Sequence, residues 1–222
     1  MGVWIARARE RTATTHGVHP ADVDARALGA VLHLGVCARA LSPWIGAALK
    51  QASVGRPAGA GVPTLDDLWW QDDGTTTFPL AIAHASSADR PRAVDDTSTA
   101  DDTGLAAFAH ALVERLAIPL TATALTSSDP TAWGNVASAL HGAARTVAWA
   151  DPGQATAVRA IADACLAALT TAHNGRPLAD GRIGTATFRR HSCCQLHRLP
   201  GNSRDMVCGD CVLRERTGAP HG

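Results

Sequence analysis

The 222-residue chain is long enough for one large domain, or for a domain with a small appendage. Its apolar content of 46% against 18% charged residues is that of a globular protein and excludes a disordered one. A formal charge of zero excludes the globally basic surface that binds nucleic acid or an anionic membrane.

The opening MGVWIARARERT lacks the apolar core of a signal peptide, and no run approaches the roughly 18 consecutive apolar residues of a membrane span. A cytoplasmic protein without integral membrane segments is expected, at most peripheral at the inner face of the membrane. His16 and His19 fall in a solvated start. Residues 20–50 read as a helix: Pro20 and Asp22 supply a beginning, Val23, Ala27, Val31, Leu34, Ala38 and Leu41 recur at helical spacing, and Ser42-Pro43 interrupts. Residues 51–63 are rich in Gly, Pro and Ala and form a connection. Asp73-Gly74 is a hairpin signal beside Thr75–Phe78 and Leu80–Ile82, so strands are placed there, with Trp69-Trp70 as strand packing in which one of the pair points away from the core.

Residues 85–104 are polar and acidic, without an apolar period, and read as a loop. Leu105, Phe108, Ala109, Leu112 and Leu116 mark a helix that ends before Pro119. Another starts near Thr131 with Trp133, Val136, Leu140, Ala144 and Val147 on one face. A last one starts near Pro152, carries Val158, Ile161, Cys165, Leu166 and Leu169, and stops at Asn174-Gly175. The expected class is mainly α with a small β hairpin. Residues 1–180 form a mostly helical domain and 181–222 a cysteine-rich C-terminal segment.

That segment holds four of the six cysteines: the adjacent Cys193 and Cys194, and Cys208 and Cys211 in a C-x-x-C. Cys37 and Cys165 instead sit in alanine-rich helical patterns and read as small buried hydrophobes. In a reducing compartment clustered thiols point to metal or redox chemistry rather than structural disulfides, and vicinal cysteines bridge each other only through a strained ring. Zinc suits four thiolates, but its usual knuckles are C-x₂₋₄-C, and an adjacent pair faces one ion only at a sharp turn. A [2Fe–2S] cluster needs two thiolates on each of two irons, and so asks for two pairs. Arg189, Arg190, Arg198, Arg204 and Arg214 lie near enough in sequence to offset its negative charge, and Gly209 permits backbone N–H groups to approach sulfur. His191 and His197 flank the pair, the arrangement of a Rieske-like site, although four cysteines already complete a ligand set.

The segment FRRHSCCQLHRLPGN…CGDCVL resembles the C-terminal motif of the FhuF-like siderophore-iron reductases, and TAWGNVASALHGAARTV (131–147) is similar to that family's W-G-N helix. The resemblance covers about 131–213 and implies a [2Fe–2S] protein that reduces imported ferric siderophores, typically of hydroxamate type. It implies Cys193, Cys194, Cys208 and Cys211 as cluster ligands and no separate catalytic acid or base. Arg189, Arg190, Arg198, Trp133 and Asn135 are candidate substrate contacts, with packing the competing role for Trp133 and backbone hydrogen bonding that for Asn135. Thirteen residues, Gln195 to Val207, separate the pairs where the family has about ten, an insertion costing well under ~1 kcal/mol of loop-closure entropy. No G-x-G-x-x-G follows a strand, so electrons are expected from a donor protein or small reductant. The alternative is a zinc-stapled or [2Fe–2S] binding or sensor protein without turnover.

Overall fold

The computed structural model describes residues 2–53, 62–70, 80–82, 102–123, 128–203 and 207–214. The expected connection at 51–63, the Asp73-Gly74 turn with Thr75–Phe78, and the acidic stretch 85–104 lie wholly or mostly outside these residues. The class is mainly α with a small β part, as the sequence predicts.

Residues 2–16, expected as a solvated start, form helix α1 (Gly2–His16). Ala8 and Ala13 pack there with Val23, Ala27, Leu28 and Leu32 in a small satellite cluster. Small residues at the contact, rather than a strong apolar stripe, carry this helix, which is why periodicity missed it. His16 and His19 are exposed, and His19 Nδ1 accepts the Ala21 N–H to cap a short turn. Asp24 then opens the longest helix by accepting the N–H groups of Arg26 and Ala27.

Helix α2 (Ala25–Ser53) runs through Pro43, where a break is expected. Pro43 is exposed, while Leu41, Ile45, Ala48 and Leu49 on the other side remain buried. That burial offsets the ~3 kcal/mol an interior proline costs. A proline is overridden a second time beyond α3 (Asp102–Leu112), which passes through a wide turn at Val113–Ala117 into α4 (Ile118–Thr121). The Ile118 N–H donates to the Val113 carbonyl, five residues back. Pro119 has no N–H to misplace, so the change of hydrogen-bond frame falls where it costs least.

Helices α5 (Asp129–Ala150) and α6 (Ala155–Ala172) begin and end near their expected bounds. After α6, Asn174 and Gly175 take left-handed backbone and the Gly175 N–H closes onto the Thr170 carbonyl. The main core lies among α2, α3, α5 and α6, around Leu41, Phe108, Leu112, Leu140, Val158 and Leu169. Three stretches, Ala25–Lys50, Gly104–Thr121 and Pro152–Ala172, are long and apolar enough to cross a membrane by length and composition. Counting uninterrupted apolar residues overlooks them, because single polar residues punctuate each.

Strand β1 (Leu68–Trp70) pairs antiparallel with β2 (Leu80–Ile82), Leu68 opposite Ile82. Leu80–Ile82 is the expected strand, and Trp69, 64% exposed, is a member of the tryptophan pair that points away from the core, as alternation requires of one of them. A second hairpin was not expected: β3 (Ala179–Asp180) pairs with β4 (Arg189–Arg190). Two residues per strand are too few for alternation to register. Its turn requires Gly181, whose φ is +74° and where a Cβ would lie 2.0 Å from the Thr187 carbonyl oxygen. The expected boundary at 180/181 falls inside this hairpin. Ile183 and Phe188 belong to the main core and Leu199 to the satellite cluster, so the C-terminal segment is built into the helical fold.

Candidate metal centre

Strand β4 delivers the chain to the vicinal cysteines, and the residue after them turns it sharply. Gln195 has φ +63°, uncommon for a non-glycine residue, and its N–H donates to Cys193 Sγ at 3.2 Å. The second segment has a similar device: the Cys211 N–H closes onto the Cys208 carbonyl at 3.0 Å, and the Leu213 N–H approaches Cys211 Sγ at 3.5 Å. An N–H aimed at sulfur favours thiolate over thiol. These donors are Gln195 and Leu213 rather than the residues around Gly209.

All four predicted cysteines come together. Cys194 Sγ lies 3.2 Å from Cys208 Sγ, and Cys193 Sγ lies 3.8 Å from Cys211 Sγ. Each close pair therefore takes one cysteine from each segment. Two thiolates on one tetrahedral metal, at the usual zinc–sulfur distance, sit about 3.8 Å apart, the spacing of Cys193 and Cys211, while Cys194 and Cys208 are closer. Among the described residues, no three His, Cys, Asp or Glu side chains converge to hold a single metal ion. Four thiols gathered this way are a soft donor set of the kind that holds zinc or an iron–sulfur centre.

Hydrogen bonds with Cys193 and Cys208, followed by the Arg190 charge, hold the Cys194 thiol far below its ordinary range. Cys211 falls to about 7, chiefly through its hydrogen bond with Cys193. Cys193 and Cys208 are pushed up by the same sharing, Cys193 with Cys194 and Cys211, Cys208 with Cys194. Cys194 and Cys211 are buried and the other two half-buried.

The matching cation is Arg190, fully buried. Its Nη1 donates to Asn135 Oδ1 at 3.1 Å, and Nη2 lies 3.6 Å from Asp210 Oδ1. Burial works against its charge, but Asp210 first, then Cys194 and Cys208, keep the guanidinium protonated. Nε and Nη2 make no well-aligned hydrogen bond, and the guanidinium lies against the Cys194 sulfur. Buried donors left unmatched beside sulfur are costly unless the sulfur is anionic. An anionic sulfur-ligated centre fits this donor set.

The network continues inward. Asn135 Nδ2 donates to the Ala30 carbonyl at 2.8 Å and meets His33 Nδ1 at 3.1 Å, while His33 Nε2–H donates to the Leu120 carbonyl at 2.9 Å. Burial lowers the His33 pKa, which keeps that ring neutral and the tautomer consistent. On the other side the Arg190 N–H donates to the Asp210 carbonyl at 3.1 Å, and Ser138 donates its hydroxyl to the Asp210 carboxylate. A Cβ at Gly134 would fall 1.9 Å from Ser192 Oγ. The W-G-N helix and the cysteine segment are therefore two halves of one site: glycine permits their approach and asparagine bonds across it.

The five candidate substrate contacts fall at different depths. Arg190 and Asn135 are fully buried, and Trp133 is buried with Nε1 donating to Asp129 and its ring 4.7 Å from His173. Arg189 donates to the Ala186 and Phe188 carbonyls, and Arg198 pairs with Asp24 at the start of α2. All five have partners within the protein, although half-buried Arg189 and exposed Arg198 also reach the surface. Of the other arginines, Arg214 donates to the Gly209 carbonyl at 3.4 Å, and Arg204 is outside the described residues. His191 faces Asp180 and the Pro177 carbonyl, away from the sulfurs, whereas His197 Nδ1 lies 3.7 Å from Cys193 Sγ. Cys37 and Cys165 are buried, their thiols pushed up by desolvation, Cys165 to about 12.

Sequence reasoning missed Gly134, Ser138, His141 and Asp210. Asn135, Ser138 and His141 recur at three-residue spacing on the face of α5 that meets the C-terminal segment, a polar interruption in an alanine-rich helix that was the available signal. His141 Nδ1 accepts the Gly184 N–H at 3.0 Å and its ring stacks on Phe188 at 4.3 Å. Burial lowers its pKa to about 4, with the Asp210 charge opposing. Compared with known proteins, the chain matches no family model, no curated protein and no solved structure.

Proposed function

We propose that this protein is a cytoplasmic ferric-siderophore reductase, with a [2Fe–2S] cluster held by Cys193, Cys194, Cys208 and Cys211. The observation that carries the reading is the pairing of four thiols, two by two, against a buried guanidinium with donors to spare. The resemblance of the C-C…C-x-x-C and W-G-N motifs to FhuF-like reductases supplies the substrate class. When bound, such a cluster supplies single electrons at potentials down to about −400 mV.

The substrate is an Fe³⁺ chelate of hard oxygen donors, which grip Fe²⁺ far less tightly, so one electron releases the metal. Arg190 offsets the negative charge of the sulfurs and would favour the reduced state of a cluster held by them. Asn135 and Asp210 hold that guanidinium in place, and the Gln195 and Leu213 N–H groups stabilise charge on sulfur. Half-buried Cys193 and Cys208 form the edge nearest solvent, where donor and chelate approach. No proton moves and no bond to the protein forms: the electron enters from a donor protein or small reductant and leaves on iron.

The test is ferrous iron release. Protein reduced with dithionite and freed of excess reductant is mixed with a ferric trihydroxamate, and Fe²⁺ is trapped by a coloured ferrous chelator. Release stoichiometric with the electrons stored, and its loss in Cys208→Ser, is expected. A loaded, reducible protein that releases none is a sensor and not a reductase.

A further inference from the structure

Three of the five candidate substrate contacts, Arg190, Asn135 and Trp133, are buried, while Arg189 and Arg198 reach the surface in partnership with protein groups, so a further surface beside the sulfurs is worth weighing. A cleft of about 530 Å³ adjoins the C-x-x-C segment, between α5 and the backbone of Gly209 and Asp210. Its volume lies within the range of small-molecule sites. Ser138, His141, Arg145, Thr146 and Trp149 line it from the helix side.

Three features give the cleft a chemical preference. Trp149 is 86% exposed, the more exposed of the two large hydrophobic residues left open among the described ones. An indole at a cleft wall offers a flat face to an organic ligand. Arg145 is exposed, yet its guanidinium reaches across the cleft, with Nη1 3.7 Å from where a Gly209 Cβ would stand. His141, its Nδ1 occupied by the Gly184 N–H, is left in the neutral ring with Nε2–H as its donor. Meanwhile the Asp210 carboxylate is engaged by Ser138 and Arg190, so its negative charge is already compensated. The lining is thus donor-rich, cationic on balance and flanked by one aromatic face.

We propose that this cleft is the docking site for an oxygen-ligated ferric chelate, with Arg145 meeting its oxygen-rich surface and Trp149 covering its organic face. The proposal rests on the reductase reading for the identity of the ligand. A chelate seated there lies against Gly209, one residue from Cys208, so the site and the electron source are contiguous.

The full-length protein, oxidised and without reductant, is titrated with the gallium(III) complex of a trihydroxamate, which binds as the ferric complex does but accepts no electron. Calorimetry gives the affinity, and tryptophan fluorescence with the ferric complex gives proximity. Arg145→Gln is expected to weaken binding at least tenfold. Trp149→Phe is expected to remove most of the binding-linked quenching, while Trp69→Phe, at the exposed tryptophan of the first hairpin, retains it. Both cleft residues are exposed, so the variants should keep wild-type circular dichroism and metal content. Wild-type protein that binds neither complex, or affinity and quenching unchanged in both cleft variants, overturns the docking site. Because gallium binding needs no electron transfer, a colourless, zinc-loaded protein that still bound the complex through Arg145 would sink the reductase reading and leave the cleft standing.

Discussion

The cysteine centre has two unlike sides. Inward, Arg190, Asn135 and His33 are fully buried and joined by hydrogen bonds that cross from α5 to α2 and α4. Outward, Arg145, Gly209 and Trp149 are exposed around an open cleft. The inner side fixes charge and position and tolerates little change, because an unmatched polar group there has no water to turn to. The outer side tolerates substitution and is free to select what binds. Mutations should sort accordingly: inner ones alter assembly, stability and potential, and outer ones alter recognition alone.

The largest effect is expected at the sulfurs themselves. Cys208→Ser should abolish iron incorporation and visible absorbance, whereas Cys165→Ser, in the α6 core, should leave both intact; iron analysis of the purified proteins decides. Next comes Arg190→Gln, which strands Asp210 and removes the counter-charge of the sulfurs. Breaking one partner of a buried pair typically costs about 3–5 kcal/mol, so urea unfolding should show a large loss. In whatever fraction folds with cluster, the midpoint potential should fall. An unchanged potential would deny Arg190 its electrostatic role.

A smaller effect is expected where the two motif halves touch. Gly134→Ala places a methyl against Ser192, an overpacking cost of about 1–3 kcal/mol. Ser192 Oγ is itself buried without a partner, so Ser192→Ala should cost little alone and relieve the crowding in the double variant. Additive losses in that cycle would mean the two residues do not meet. Smallest of all, Trp149→Phe on the outer side should change stability by less than about 0.5 kcal/mol.

The inner side also carries a pH signature. His141 and His33 have folded pKa values lowered by burial, His141 to about 4, so the unfolded chain binds more protons between that value and the ordinary histidine pKa. Stability should therefore be full above about pH 6.5 and decline as pH falls toward 4. Thermal unfolding across that window reads it, and His141→Gln should flatten the profile.

Much of this was legible in the sequence, and the gaps have physical causes. The helices with strong apolar periods, α3, α5 and α6, were found close to their bounds. The prolines misled, because a local rule about Pro43 and Pro119 was outweighed by buried leucines on either side of each. Helix α1 and the hairpin at 179–190 escaped because their contacts are few and small. The four cysteines were legible as a set, but their crosswise pairing depends on the left-handed turn at Gln195, which spacing does not reveal. Asn135 was read as either ligand contact or backbone partner. The backbone partner is there, the Ala30 carbonyl, but it lies on another helix, and the second partner, Arg190, is fifty-five residues away in sequence.

The central claim is that the paired thiols hold a two-iron cluster. Protein purified without oxygen should be red-brown, contain iron and acid-labile sulfide in equal amounts, and give an electron paramagnetic resonance signal on reduction with dithionite. A colourless protein carrying stoichiometric zinc after the same preparation would contradict it.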